Sequence, residues 1–298
     1  MIQHSLDSMS YSHAMKTVLI TGATSGIGKA TAIALAKKGF QIIFIARDLH
    51  KAEALKQEIR YVAPNDHIDF LIADFSSLSQ VRKFAEAFRE KFQKLDVLIN
   101  NAGVCLPKRM ITEDGFEETF QVNHLSHFLL TNLLLDTLKN APEARIINVS
   151  SSLYKSGTFD VSNLQSEQGF TPYGAYSNTK LLNILFTLEL AERLDGTGVT
   201  VNTLHPGVVR TNFGDELTGY RKSLSTLMQP FFLSPENGAE TSVYLATSDE
   251  VKSTTGKYFE KYRVIELENE FITPANQKIL WNKSIELSGL KLNKTNKL

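Results

Sequence analysis

The chain has 298 residues, 42% hydrophobic and 21% charged, with 32 basic and 32 acidic residues and a formal net charge of zero. That length and composition fit a water-soluble globular chain of one large domain or two small ones, and its neutral balance gives no footprint for nucleic acid or an acidic membrane. No apolar run approaches the ~18 residues of a membrane-spanning helix, and the single cysteine, Cys105, excludes an internal disulfide framework and fits a reducing, cytoplasmic location.

Residues 1–15 are polar and read as a flexible extension rather than a secretory signal. Beyond them, short apolar runs alternate with helical patterns. Strand candidates lie at 18–20, 41–46, 68–73, 97–99, 146–149 and 199–204, with a seventh at 257–259. Helical spacing runs over 27–38, 49–61, 78–92, 116–138 and 175–194. This alternation predicts an α/β fold: a doubly wound parallel sheet of about seven strands with helices on both faces. No linker or repeat interrupts it, so residues 16–290 read as one domain and 291–298 as a basic tail. Two segments break the rhythm. Residues 152–174 carry Gly157, Gly169, Pro172 and Gly174 and read as an inserted loop. Residues 211–233 carry apolar side chains three and four apart and read as a lid over a substrate pocket beyond the strand ends.

The first strand runs into Thr21-Gly-Ala-Thr-Ser-Gly-Ile-Gly28 and then a helix. Glycines there let backbone approach a pyrophosphate, and a helix N-terminus offers free N–H groups. The Gly22-x-x-x-Gly26-x-Gly28 spacing differs from the commonest dinucleotide fingerprint. The second strand ends in Ala46-Arg47-Asp48 rather than in an acidic residue. Arg47 suits a 2′-phosphate, which favours NADP(H) over NAD(H). Asp48 either serves a ribose or caps the next helix. Asp74 follows the third strand, placed for an adenine edge or as a cap.

Tyr176 and Lys180 stand four apart in a helical stretch, hence on one face, and Ser150, Ser151 and Ser152 follow the fifth strand. A tyrosine beside an ammonium, with a serine hydroxyl near, is what carbonyl–alcohol redox chemistry asks of a protein. Lys180 and an oxidised nicotinamide would favour the Tyr176 phenolate, lowering a pKa that is otherwise ~10. His124 and His127, three apart, have no third partner at metal spacing and read as packing residues, so no metal is expected. His205 reads as structural.

Thr21–Gly28, Asp74, Asn100-Asn101-Ala102-Gly103, Asn123, Ser151, Tyr176-x-x-x-Lys180 and His205-Pro206-Gly207 with Thr211 occur in this order. Together they resemble the short-chain dehydrogenases/reductases. Ala46-Arg47-Asp48, the 25 positions between Ser151 and Tyr176, and Lys180-Leu-Leu-Asn-Ile-Leu-Phe186 look like the retinol dehydrogenase-like branch. The resemblance implies a Rossmann-type fold and an oxidoreductase using NAD(P) on a lipophilic carbonyl or alcohol. It implies a catalytic tetrad of Asn123, Ser151, Tyr176 and Lys180. Gly22, Ser25, Gly26, Ile27 and Gly28 would cradle the phosphates, Arg47 the 2′-phosphate, and Asp74 with Phe75 the adenine. Asn101 and Gly103 would support the central strand and the ribose, Tyr176 and Lys180 would also touch the cofactor, and Pro206, Val208 and Thr211 would hold the nicotinamide. It further implies pairing of two copies through the long helices. Two other readings use the same residues: a dinucleotide sensor without turnover, and a carbon–carbon double-bond reductase resembling protochlorophyllide reductase.

Overall fold

A computed structural model describes residues 15–63, 66–207 and 233–291. Val208, Thr211, nearly all of the expected lid, and residues 1–14 and 292–298 lie outside them. The described strands are β1 (Thr17–Thr21), β2 (Gln41–Ala46), β3 (Ile68–Ile72), β4 (Val97–Asn100), β5 (Arg145–Val149), β6 (Thr200–His205), β7 (Tyr258–Glu260) and β8 (Arg263–Ile265). They form one sheet in the order β3-β2-β1-β4-β5-β6-β7-β8. All neighbours are parallel except β7 and β8. The order reverses between β1 and β4, the crevice where ligands bind in doubly wound sheets.

Among the described residues the sheet has eight strands rather than about seven. The extra edge strand follows a two-residue turn at Lys261 and Tyr262, both with positive φ (47° and 69°). That is hairpin geometry, but neither residue carries the glycine or asparagine signal that announces it.

The described helices are α1 (Gly26–Lys37), α2 (Leu49–Val62), α3 (Leu78–Lys91), α4 (Glu118–Phe120), α5 (Ser126–Leu133), α6 (Leu135–Lys139), α7 (Pro172–Arg193), α8 (Pro235–Thr247) and α9 (Pro274–Ser288). Alternation along β1 sends Val18 and Ile20 to one apolar cluster and Leu19 to the other. The first joins the sheet to α1, α2 and α8; the second joins it to α3, α5, α7 and α9. Strands buried on both faces read as continuous Val/Ile/Leu runs, as β1, β2 and β4 do.

The single helix expected over 116–138 is broken. Between α4 and α5 the backbone widens into a π-turn at Gln121–Leu125, and a further break at Leu134 separates α6. The π-turn brings Asn123 against a distant loop: its Oδ1 accepts from Val104 N at 2.7 Å and its Nδ2 donates to Val104 O at 2.9 Å. Such tertiary partners favour the wider turn, and periodicity within 116–138 carries no trace of them.

The α9 helix packs on α7 and α5. Trp281 lies 5.0 Å from the Phe128 ring and 6.0 Å from Phe186, with the Arg193 guanidinium 4.5 Å from its own centroid. Ser284 Oγ is 2.9 Å from His124 Nε2. This explains His124 as a packing residue: burial pushes its pKa down to about 4, so it stays neutral in the core.

Candidate active site

The glycine loop is built for close approach. A Cβ on Gly22 would stand 2.8 Å from Ala102 Cα, and one on Gly28 would stand 2.3 Å from Gly22 O and 2.5 Å from Asn101 Nδ2. Gly22 and Gly26 also have positive φ (67° and 54°), where a side chain is strained. Ser25 precedes α1 without making a capping bond through its side chain, so the first-turn N–H groups stand open to an anion. Asn101 Nδ2 donates to Thr21 O at 2.8 Å and to Gly22 O at 3.2 Å. It thus pins the end of β4 beneath the loop. A dinucleotide pyrophosphate fits this cradle.

At the tip of β2, Arg47 is exposed and Asp48 is committed to α2, its Oδ1 accepting from Lys51 N at 3.0 Å. Asp74 Oδ1 accepts from Ser76 N at 2.9 Å, a turn-forming contact, while α3 takes Ser77 as its N-cap residue. The Phe75 ring is buried and meets the His127 ring edge-on at 5.0 Å, so its side chain packs inside the protein. Glu118 joins this corner: burial and Asp74 raise its pKa, while Arg47 lowers it. No sequence motif announces Glu118 there.

Three serines followed β5 in sequence, and the structure separates them. Ser150 is buried, its Oγ donating to Lys180 O at 2.8 Å. Ser152 begins a short 3₁₀ turn (Ser152–Ser156), for which Ser151 is the N-cap residue. The Ser151 side chain lies close enough to Tyr176 to favour its ionised form. Tyr176 and Lys180 lie on α7, which Thr171 starts by accepting from Gly174 N at 3.0 Å, with Pro172 in its first turn. Lys180 is 3% exposed, its Nζ donates to Val149 O at 3.0 Å, and it sits 5.2 Å from the Tyr176 ring centroid. Gly103 borders both Asn123 and Lys180: an added Cβ would lie 3.4 Å from Asn123 Oδ1 and 3.6 Å from Lys180 Nζ. Thr179, which the sequence did not single out, joins the group by accepting from Asn123 Nδ2 at 3.1 Å and donating to Tyr176 O at 2.8 Å. Pro206 ends β6, and Gly207 after it has φ 84° with Leu233 packed on it.

The strands and helices carrying these groups are tied by a buried amide ladder. Asn100 Nδ2 donates to Thr131 Oγ1 at 2.9 Å and to Asn148 Oδ1 at 2.8 Å, and Asn148 Nδ2 donates to Thr187 Oγ1 at 2.8 Å. Buried networks of this kind fix geometry, although Asn100 Oδ1 is buried without a partner. The 152–174 loop is anchored as well: a Cβ on Gly157 would reach Ser177 O at 2.6 Å, and Asn269 Nδ2 donates to the carbonyls of Tyr154 and Gly157 at 3.0 and 2.9 Å.

Burial raises the Tyr176 pKa, Cys105 adds to the rise, and Ser151 only partly opposes it. Lys180 is itself pulled down to about 8 by burial. In the chain alone, Tyr176 therefore rests protonated rather than as a phenolate, because desolvation outweighs its polar neighbours. Cys105, whose Sγ donates to Pro172 O at 3.4 Å, is pushed up to about 11 by burial and Glu117, so it is no thiolate at neutral pH. Among the described residues no group of three or more His, Cys, Asp or Glu could hold a metal, and no helix is long and apolar enough to cross a membrane.

A doubly wound sheet with a glycine-rich loop at its switch point, and half-buried Ser151 and Tyr176 beside a buried Lys180, is the arrangement of a nicotinamide-dependent oxidoreductase. The comparisons agree. The family model for short chain dehydrogenases matches residues 16–221. Human retinol dehydrogenase 14 is 44% identical over 296 residues, covering 92% of this chain and 87% of its own. A solved structure from Mycobacterium paratuberculosis superposes with TM-score 0.76 at 30% identity, covering 93% of this chain and 95% of that one. The Pseudomonas aeruginosa RhlG/NADP active-site complex does so with TM-score 0.66 at 25% identity, over 82% and 93%. The chain belongs to the short-chain dehydrogenase family, in its retinol dehydrogenase-like branch, and is an oxidoreductase of alcohol and carbonyl groups.

Proposed function

We propose that the chain is an NADP(H)-dependent dehydrogenase/reductase for a lipophilic carbonyl or alcohol of the retinoid, steroid or long-chain aldehyde class. The observation that carries the chemistry is the contact of Ser151 with Tyr176, with Lys180 beneath them, beside the glycine cradle. Arg47 left exposed while Asp48 caps α2 supports a 2′-phosphate. The name of the relative, retinol dehydrogenase, and the apolar spacing of residues 211–233 support the substrate class.

Bound nicotinamide supplies or accepts the hydride. In reduction, Tyr176, protonated at rest, gives its proton to the carbonyl oxygen as the hydride reaches the carbon. Ser151 hydrogen-bonds the same oxygen and stabilises its developing charge. Lys180 then favours the phenolate left on Tyr176, and Asn123 holds the route by which a proton returns from solvent. In oxidation the steps reverse, and Tyr176 must first lose its proton, which the positive charge of an oxidised nicotinamide assists.

In our reading residues 16–290 act as one catalytic domain, with 152–174 shaping the pocket and 211–233 covering it. The free thiol of Cys105 fits a reducing, cytoplasmic setting. Pairing of two copies through α5 and α7 would first require α9 to leave those helices. The test is NADPH and NADH consumption against a panel of short, long-chain, retinoid and steroid carbonyls. Preference for NADPH with a long apolar carbonyl is expected; turnover of short polar carbonyls only, or none, would overturn the substrate class.

A further inference from the structure

His127 is fully enclosed on α5 and has no place in the chemistry above, yet it spans two parts of the site. Its Nδ1 lies 3.1 Å from the backbone oxygen of Asn123, and its Nε2 lies 2.9 Å from Thr21 Oγ1. Directions follow from the partners. A carbonyl only accepts, so Nδ1 carries the proton and donates it. Burial pushes the ring down to about 3, which keeps it neutral. Nε2 is then an acceptor, and the Thr21 hydroxyl donates to it at 2.9 Å in preference to Ile99 O at 3.5 Å. The same Thr21 oxygen accepts from Asn101 N and Ala102 N, both at 2.9 Å. One hydroxyl therefore has its donor and both acceptor positions filled, by the ring and by the turn that floors the nucleotide cradle.

At the other end the Asn123 side chain is occupied with Val104 and Thr179, and its backbone carbonyl is held by the His127 ring. Movement of this π-turn would reach Lys180 through its chain neighbour Thr179, whose Oγ1 accepts from Asn123 Nδ2 at 3.1 Å.

We propose that His127 is a positioning residue that couples the nucleotide cradle to the Asn123–Lys180 end of the catalytic group, one ring nitrogen serving each. This rests on the functional reading above.

Two variants separate the arms. His127→Phe keeps a ring against Phe75 and removes both contacts. His127→Asn keeps a donor toward the Asn123 carbonyl only; Asn132, on the same helix, already makes this four-residue backward contact to Phe128 O at 2.8 Å. The measurements are kcat and KM for NADPH, NADPH affinity by energy transfer from protein fluorescence, and Tm. The expected result is a roughly tenfold lower kcat and roughly tenfold weaker NADPH binding in H127F, one hydrogen-bond equivalent each. In H127N, kcat recovers to near the parent value while NADPH binding stays weak. Wild-type kinetics in H127F, or equal losses of kcat in both variants, would overturn the coupling. If H127F does not fold, the split between kcat and NADPH affinity in H127N decides alone. A parent protein without turnover would sink the functional reading instead, and the coupling would then stand or fall on whether NADPH binds more weakly to H127N than to the parent.

Discussion

Replacing Gly28 with alanine tests the cradle geometry, because two ordinary effects oppose each other there. Alanine inside a helix is normally more stable than glycine, by roughly 0.5–1 kcal/mol. At Gly28 the new Cβ would lie 2.3 Å from Gly22 O and 2.5 Å from Asn101 Nδ2, distances no relaxed contact reaches. Either α1 shifts away from β1, or Asn101 gives up its bonds to Thr21 O and Gly22 O. Overpacking of this kind costs roughly 1–3 kcal/mol, and loss of one hydrogen bond adds about 1 kcal/mol. The helix gain offsets less than half, so the variant should lose about 2 kcal/mol. At roughly 2–4 °C per kcal/mol for large domains, Tm falls by about 4–8 °C. NADPH affinity, which depends on the same loop, falls at least tenfold. Gly39→Ala is the control. Gly39 has φ 84° with nothing within 4 Å of an added Cβ, so it costs about 1–2 kcal/mol of backbone strain and leaves NADPH binding unchanged. Calorimetry and NADPH titration read both. A Gly28→Ala protein as stable as its parent, with unchanged NADPH affinity, would refute the cradle.

Further outcomes follow from charge and burial. Arg47→Ala should raise KM for NADPH roughly tenfold or more while leaving KM for NADH nearly unchanged, read by initial rates with each cofactor. Lys180 titrates at about 8, charged below and neutral above. The kcat/KM for NADPH, which reports the free enzyme, should therefore be level below pH 8 and fall above it; a profile level to pH 10 would contradict the assignment. His124 binds its proton at about 4 in the fold but near ~6.5 when unfolded. The unfolded chain thus binds more protons as pH falls from 6.5 to 4, and stability drops through that window, on the order of 3 kcal/mol by pH 4. Buried His127, pushed down to about 3, adds a loss of the same sign. Urea midpoints between pH 7 and 4 should therefore fall for the parent, and replacing His124 should remove only its own share of the slope.

The strands were readable in the sequence because parallel strands buried on both faces are apolar throughout, and the loop was readable because glycine spacing is tied to backbone approach. What escaped depends on contacts far apart in the chain. The π-turn at Asn123 is held by Val104, nineteen positions earlier, so an apolar run over 116–138 looked continuous. Strand β8 hangs on positive-φ residues Lys261 and Tyr262, which have no turn signature. Asp48 read as either cofactor ligand or cap until its bond to Lys51 N decided for the cap. The polar neighbours of Tyr176 were legible in the sequence, while the burial that raises its pKa in the chain alone was not.

The central claim is that Tyr176 moves the proton. The direct measurement is NADPH consumption with a carbonyl substrate by Tyr176→Phe, beside its NADPH affinity. Phenylalanine keeps the ring over Lys180 and removes only the hydroxyl. The account predicts turnover lower by about a thousandfold, within the usual range for general acid catalysis, with NADPH binding retained. Turnover within a few-fold of the parent would contradict it.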